Sequence, residues 1–234
     1  MKDIRLDKYI ASAAPCSRKD ASRLIKEGRV CVDGKVCKKG DSKVPNSALV
    51  TLDGRAIAYR EHVYYMMNKP AGVVCATEDK QDTTVIDILP PEYRRDGLFP
   101  AGRLDKDTTG LLIITDDGEL AHRMLSPRKH VRKLYVATVD RPPAPDAEER
   151  FEKGLILPDG TRCLPAKLRR IDENTVEVEL CEGRFHQVKK MLHEVGSAVE
   201  TLERVRIGKL ELDERLMPSE ARELTDTELE SLFA

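Results

Sequence analysis

The segment from Gly102 to Gly110 holds the densest group of side chains in the chain that could do chemistry. It reads GRLDKDTTG and contains an arginine, a lysine and two acids. It runs directly into an apolar LLII sequence at residues 111–114, which predicts a short buried strand. Such a loop places a carboxylate at the edge of a core, where burial and a neighbouring cation can tune its reactivity. The alternative for a loop of this composition is a solvated hairpin turn.

Two further groupings of side chains raise the question of a metal site. Asp105 and Asp107 form a DxD sequence, which binds a divalent metal in nucleotide-sugar glycosyltransferases, but no phosphate-cradling loop accompanies it. Asp107 is more simply a turn or capping residue ahead of Thr108. His186 and His193 lie seven positions apart on one predicted helix, yet no third ligand is evident. We therefore expect no metal site.

The overall composition is that of a globular protein with an adequate core. Of 234 residues, 40% are hydrophobic and 35% are charged. No apolar run approaches the roughly 18 residues of a membrane span, and the N-terminus lacks an apolar signal segment. The six cysteines are scattered without a CxxC motif, which favours free thiols in a reducing compartment. We expect a cytoplasmic protein with no membrane partner.

The charge is divided unevenly along the chain. Residues 1–60 contain 14 Lys and Arg against 7 Asp and Glu, whereas the remainder contains 26 against 34. This division indicates a basic module that meets a polyanion, joined to a mildly acidic domain. Aromatic residues make up only 4% of the chain and tryptophan is absent, which disfavours a base-stacking sheet of the RRM type.

The basic N-terminal part has the pattern of a small helical and hairpin module. Ser17 predicts a helix N-cap, with the helix running to about Glu27 before Gly28. The sequences RLDKYIA (5–11) and SRKDASRLIKEGRVCVDGK (17–35) resemble the S4 RNA-binding module, and the resemblance covers about residues 1–58. Basic side chains on such a module can bind phosphates through charge-assisted bonds. The residues expected to contact RNA are Arg5, Lys8, Arg18, Lys19, Arg23 and Lys26, with Arg18, Lys19 and Arg23 ranked first.

The rest of the chain alternates short strand and helix patterns. Residues 84–89 predict a short helix, and residues 134–139 and 175–180 predict strands. Residues 183–196 predict a helix that ends at Gly196. Its apolar face is expected to consist of Val188, Met191, Leu192 and Val195.

Four segments of this second part carry another resemblance. They are NKPAG (68–72), GRLDKDTTGLLIITDDG (102–118), KLY (133–135) and EGRFHQVKKM (182–191). In this order, behind an S4-like module, they resemble the RsuA branch of the pseudouridine synthases. The HQVK sequence is more similar to the small-subunit rRNA enzymes than to the large-subunit relatives, which carry RQIR.

The resemblance implies a cofactor-free isomerisation of uridine in folded RNA. The family's catalytic carboxylate, the Asp of GRLD, corresponds to Asp105, and action on either the ribose or the base is possible. A carboxylate can stabilise or trap the oxocarbenium-like charge of glycosidic cleavage, and a nearby cation keeps it ionised when it is partly dehydrated. The matching position in HQVK assigns Lys189 as that cation. Because lysine is a point charge where arginine offers a fork, the orientation of Asp105 would depend more on other groups.

The family's other site positions map onto four residues. Tyr135 corresponds to the active-site Tyr that stacks on the extracted uracil and could take part in removing a proton from the base. Arg103 corresponds to the Arg that helps to hold the RNA once the base has left the stack. Lys69 and Arg184 are expected to contact phosphate or to frame the site.

We therefore predict an α+β protein. An S4-like RNA-binding domain would span residues 1–60, and a catalytic domain with a mixed, mainly antiparallel sheet flanked by helices would span residues 61–234. The expected reaction is site-specific conversion of uridine to pseudouridine in small-subunit rRNA by a monomer without cofactors, acting on rRNA or a partly assembled ribosomal subunit. The same reaction on large-subunit rRNA is one alternative. A non-catalytic RNA-binding or ribosome-assembly factor is another, although the presence of Asp105, Tyr135 and Lys189 together favours an enzyme.

Overall fold

A computed structural model of the chain describes residues 3–14, 16–45, 47–126 and 131–233. The chain divides into two units, the first formed by Met1–Val63 with Leu89–Phe99 and the second by Tyr64–Ile88 with Pro100–Ala234. The sequence placed the division at residue 60 and gave residues 89–99 to the second domain. Arg95 explains why they belong to the first, because its guanidinium donates to the carbonyls of Ser12 and Glu61.

The first unit combines two helices with short antiparallel strands. Ser17 caps the helix Arg18–Lys26 as predicted, since its Oγ accepts a hydrogen bond from the Asp20 amide at 3.1 Å. The core lies between the helices and the sheet and includes Tyr9, Ile10, Ile25 and Val50. The elements are β1 (Ile4–Arg5), α1 (Leu6–Ala13), α2 (Arg18–Lys26), β2 (Val30–Val32), β3 (Lys35–Val36), β4 (Lys43–Val44), β5 (Val50–Leu52) and β6 (Arg55–Ile57). The sheet order is β3-β2-β5-β6, and β1 pairs with β4.

Among the described residues, nine strands form the larger sheet. They are β7 (Tyr64–Lys69), β8 (Phe99–Pro100), β9 (Thr109–Thr115), β10 (Lys133–Val139), β11 (Lys167–Arg170), β12 (Thr175–Leu180), β13 (Val199–Ile207), β14 (Leu210–Glu211) and β15 (Ala221–Glu223). The order along the sheet is β11-β12-β10-β13-β9-β7-β15. The pairing of β9 with β13 is parallel, whereas β10 pairs antiparallel with both β12 and β13. The mixed, mainly antiparallel sheet that the sequence predicted is confirmed.

The helices of the second unit differ from the prediction in two places. They are α3 (Gly118–Leu125), α4 (Ala147–Lys153), α5 (Gln187–Glu194) and α6 (Asp226–Ser231). The predicted helix at residues 84–89 is wrong, because Thr84 forms a β-bridge with Val74 and turns follow it. α5 begins at Gln187, four residues later than predicted, which leaves residues 183–186 as an irregular turn. Its apolar face is as predicted, with Val188, Met191 and Leu192 buried. Within the described parts of the chain, no helix is long and apolar enough to cross a membrane.

Gly110 is the point at which the charged loop enters the sheet. Its φ of +97° is in a region that side-chain-bearing residues rarely adopt, and a Cβ there would lie 2.4 Å from the carbonyl oxygen of Arg204. Both facts follow from its position between β7 and β13, where it faces Lys69 and Arg204. The close parallel pairing of β9 with β13 therefore requires glycine at this position.

Gly110→Ala is expected to lower the free energy of unfolding by roughly 1–3 kcal/mol, because both the clash and the backbone strain must be absorbed. Urea denaturation of the two proteins measures the difference. Gly118→Ala is the matched control, since a Cβ at the start of α3 meets nothing within 4 Å. Equal stability of the Gly110 and Gly118 variants would contradict the assigned role of Gly110.

Candidate active site

A pocket opens beside the charged loop, with an open volume of about 550 Å³. Three segments line most of it: loop residues 103–105 and 108, Tyr135 on β10, and the turn at residues 183–188 that leads into α5. The structure thus brings Arg103 and Asp105 of the loop together with Tyr135 and Arg184 at one pocket, from three separate parts of the sequence.

The loop is held from below by the NKPAG turn. The Lys69 ammonium donates hydrogen bonds to the carbonyls of Pro70 (2.9 Å), Lys106 (3.3 Å) and Thr108 (2.8 Å). The Gly72 amide also donates to the Lys106 carbonyl, at 2.7 Å. Three acceptors match the three protons of a lysine ammonium. The turn therefore fixes the backbone on both sides of Asp107.

Lys69 does not fit the RNA contact predicted for it. Its side chain is fully buried, with 0% of its surface exposed, and burial lowers the pKa of the amine below its usual value. All of its donors face backbone carbonyls of its own unit, so the other part of the prediction, a role in framing the site, fits instead. A lysine beside Pro70 and Gly72 reads as a solvated turn residue in sequence. Only the pairing of β7 with β9 brings it beneath the loop.

Lys69→Met is expected to lower the free energy of unfolding by about 1–3 kcal/mol, because carbonyls of the loop lose their hydrogen-bond donor while the apolar stem is kept. Urea denaturation measures the change. Lys80→Met is the control, since Lys80 is an exposed lysine of the same unit. A Lys69 variant as stable as the control would contradict the bracing role.

Asp105 lies on the loop with about a quarter of its side chain exposed. Its Oδ1 is 3.6 Å from Nε2 of His186, and its Oδ2 is 3.9 Å from Nζ of Lys189. The backbone is turned at this point, because the Thr108 amide donates to the Asp105 carbonyl at 3.1 Å. A carboxylate at the pocket wall therefore has two basic groups within 4 Å.

Lys189 is nearer to Asp107 than to its predicted partner. Its ammonium donates to Oδ1 of Asp107 at 2.6 Å, and this hydrogen bond lowers the pKa of the Asp107 carboxyl. The sequence assigned Asp107 only to a turn. In the structure Asp107 anchors the Lys189 ammonium. The ammonium is therefore close enough to Asp105 for an ion pair but makes no direct hydrogen bond to it.

His186 is a site residue whose position the sequence did not predict. It precedes α5 with a φ of +53°, a left-handed conformation that is uncommon for any residue other than glycine. This conformation turns its imidazole towards Asp105. The available signal was its spacing of three from Lys189, which places both side chains on one side of a helix start. His193, considered above as its metal-binding partner, is exposed beside Glu194, and no group of three potential metal ligands occurs among the residues described.

Buried hydrogen bonds fix the turn that carries His186. Glu182 is 7% exposed and accepts from the Leu164 amide, from Nε2 of Gln187 and from Nε of Arg184. Oε1 of Gln187 in turn accepts from the Arg184 amide at 3.0 Å. Arg184 itself is exposed at the pocket wall. Its bond to Glu182 favours the framing role over that of a free phosphate contact.

Tyr135 and Arg103 lie on other walls of the pocket. Tyr135 is 7% exposed and stands on β10 opposite Val178 of β12 and Arg204 of β13. A register shift between Leu134 and Tyr135 accompanies this position, as often occurs beside active sites. Arg103 is exposed at the loop. The tyrosine thus forms a wall of the pocket while the arginine remains exposed to solvent.

Two further cations are buried near this sheet. Arg204 is 2% exposed, and its Nε donates to the Leu111 carbonyl at 2.8 Å. Lys133 is 5% exposed, and burial, together with the charge of Arg204, lowers the pKa of its amine to about 8. The unfolded chain would have the ordinary value of 10.5. Lys133 therefore destabilises the folded protein wherever it is charged.

The destabilisation by Lys133 is expected to disappear between pH 8 and pH 10.5. In that window the unfolded state binds the proton and the folded state does not, so raising the pH stabilises the fold. Below pH 8 the full cost, about 3 kcal/mol, is present. Lys133→Met should therefore be more stable than the wild type at pH 7, and the difference should shrink towards pH 10.5. A difference independent of pH in urea denaturation would contradict this account.

The six basic residues predicted to contact RNA in the first unit are all exposed. Arg5 and Arg18 both bond to Asp7, which is itself 5% exposed and whose pKa these bonds lower. Arg23 pairs with Asp20. The remaining three, Lys8, Lys19 and Lys26, are exposed lysines of α1 and α2.

Comparison with known proteins identifies the family. The sequence matches the RNA pseudouridylate synthase family over residues 63–194 and the S4 domain over residues 4–50. It is 44% identical to an uncharacterized RNA pseudouridine synthase, YtzG, of Bacillus subtilis, with 98% of each chain covered. It is 43% identical to the ribosomal small subunit pseudouridine synthase A of Escherichia coli, with 98% of this chain and 100% of that protein covered.

A structural comparison agrees with the sequence matches. A crystal structure of a pseudouridylate synthase superposes with a TM-score of 0.69 at 35% identity, over 98% of this chain and 99% of that one. The fold is therefore shared over almost the whole length of both chains. Together with the pocket around Asp105, these matches show that the chain belongs to the RNA pseudouridylate synthase family and carries an N-terminal S4 domain.

Proposed function

We propose that this protein converts one specific uridine of small-subunit rRNA to pseudouridine. The observation that carries the proposal is the arrangement of Asp105, which lines the same pocket as Tyr135 and has His186 and Lys189 within 4 Å. Relatives that match the chain along almost its full length are named ribosomal small subunit pseudouridine synthase A. Their names support the choice of small-subunit rRNA.

The reaction exchanges one bond of the ribose for another. The bond from C1′ to N1 breaks, the uracil turns, and C1′ bonds to C5, which loses its proton while N1 gains one. Asp105 supplies negative charge where positive charge develops on the ribose, or attacks as a nucleophile on the ribose or the base. Its position on a braced loop matters because misplacement of a reacting group is costly.

Two basic side chains are held beside the Asp105 carboxylate in the site. Lys189 is held by Asp107 and His186 by the turn before α5, so neither can move away freely. We assign the wall beside the extracted uracil to Tyr135, where its ring can stack on the base. We assign Arg103 to the RNA strand that the base has left.

The S4 domain would supply affinity for folded rRNA or a partly assembled ribosomal subunit. We further propose that the protein acts in the cytoplasm as a monomer without a cofactor. A single chain provides every side chain assigned here, and each step needs only a carboxylate, proton transfers and stacking.

Mapping of pseudouridines in the rRNA of the source organism tests the choice of substrate. Deleting the gene should remove one pseudouridine from small-subunit rRNA, and the wild-type gene should restore it while an Asp105→Asn gene should not. Loss of a large-subunit pseudouridine instead would favour the first alternative. An unchanged map of both rRNAs would favour a non-catalytic RNA-binding factor.

A further inference from the structure

An aromatic ring is exposed at the rim of the pocket. Phe185 has 65% of its surface exposed, and its ring stacks on His186 with the centroids 3.7 Å apart and an angle of 21° between the planes. Nζ of Lys190 lies 5.6 Å from the centroid of the same ring. Phe185 also lines the pocket, so a strand of RNA bound at the pocket can reach its ring.

The surrounding turn holds this ring in its exposed position. His186 has a strained left-handed backbone, and the buried Glu182 and Gln187 fix both ends of the turn. Strain of this kind persists only where the surrounding structure enforces it, and it clusters at functional sites. The alternative of a loosely placed surface phenylalanine would need neither the strain nor the buried hydrogen bonds.

The Phe185 ring is also close to the proposed reacting carboxylate, Asp105. His186, on which it stacks, has Nε2 at 3.6 Å from the Asp105 carboxylate. A nucleotide whose uracil reaches Asp105 would therefore have its neighbours in the strand near Phe185. Extraction of a base from its stack leaves those neighbours without a stacking partner, and aromatic side chains can replace it.

We propose that Phe185 forms a stacking site for the nucleobase that flanks the target uridine, with Lys190 beside it for the adjacent phosphate. The proposal rests on the function proposed above and adds a contact to a base other than the target uracil. Because every base has a π face, this site contributes to affinity and to base extraction with little preference among bases. His186 has two roles in this arrangement, as the support of the ring and as a neighbour of Asp105.

Phe185→Leu and Phe185→Tyr separate stacking from apolar bulk. A short RNA containing the mapped target uridine would carry 2-aminopurine at the flanking position, so that stacking quenches its fluorescence. We expect the wild type and Phe185→Tyr to quench it, and Phe185→Leu to lose the quenching and bind roughly 10-fold more weakly. Met217→Ala, at a side chain of similar exposure (64%), should behave as the wild type.

The outcomes distinguish the two proposals. If the wild type forms pseudouridine and Phe185→Leu quenches, binds and reacts as the wild type does, the stacking role is wrong and the proposed function stands. If the wild type forms no pseudouridine in any rRNA, the proposed function is wrong and the stacking role falls with it. Thermal unfolding of each variant checks that an exposed substitution has left the fold unchanged.

Discussion

Asp105→Asn is expected to lower pseudouridine formation by roughly 10³-fold or more while RNA affinity stays within several-fold of the wild type. The amide keeps the shape of the carboxylate but lacks the negative charge that must meet the developing charge on the ribose, and losses of this size are usual when such a group is removed. It is also a poor nucleophile, so the expectation holds for either form of attack. Single-turnover release of tritium from uracil C5 of labelled rRNA measures the rate.

Asp107→Asn is the matched control for this prediction. It changes the same charge on the same loop two residues away, and it removes the partner that holds the Lys189 ammonium. Asp107 has 73% of its side chain exposed, and it does not line the pocket. We expect a loss of no more than about 10-fold from the freed lysine. A loss at Asp107 as large as that at Asp105 would contradict the assignment of Asp105 as the reacting carboxylate.

Replacing Lys8, Lys19 and Lys26 together with Gln is expected to weaken RNA binding by 10- to 100-fold at low salt. Each phosphate contact that is lost lowers the dependence of log K on log salt by about 0.7 to 0.9, so the slope should fall by about 2. These three lysines are exposed on α1 and α2, and their removal leaves the bonds of Arg5, Arg18 and Arg23 to their acids in place. Titration of labelled rRNA at several salt concentrations measures both quantities.

A second triple variant shows whether this effect belongs to the first unit. Lys80, Lys167 and Lys209 are exposed lysines of the second unit, and their replacement removes the same total charge. We expect it to change the salt slope little. Equal slopes for the two triple variants would mean that RNA binds through general charge attraction and not through the S4 domain. Removal of residues 1–58 is a less direct test, because residues 89–99 belong to the same unit and would lose their packing.

Sequence patterns correctly predicted those elements of the fold that depend on interactions between residues near each other in the chain. The apolar run after the GRLD loop forms β9, and Ser17 caps α2, because strand burial and helix capping depend on neighbouring residues. The start of α5 was predicted four residues early, since its helical spacing continues through residues 183–186. In the structure the buried Glu182 accepts hydrogen bonds from Arg184 and Gln187, which hold residues 183–186 in a turn instead of a helix. The turns after Thr84 likewise depend on the β-bridge between Thr84 and Val74. The helical spacing of residues 84–89 gives no sign of this bridge.

The sequence named most residues of the candidate site but did not predict the hydrogen bonds between them. Family motifs named Asp105, Tyr135 and Arg103, which line one pocket, and Lys189, which lies beside it. They did not reveal that Lys69 is buried beneath the loop or that Asp107 takes the direct hydrogen bond from Lys189, because both contacts arise from pairing between distant segments. His186 was missed for a similar reason, since its backbone conformation determines where its ring points.

The most direct test of the central claim is quantitative mapping of pseudouridine in small-subunit rRNA after incubation with the purified protein. Naked transcript and partly assembled subunits would be compared, with Asp105→Asn as the inactive control. The wild type should convert one uridine in one of these substrates without an added cofactor, and the Asp105→Asn protein should convert none. Conversion by the Asp105→Asn protein, or no conversion of small-subunit rRNA in either form, would contradict the account.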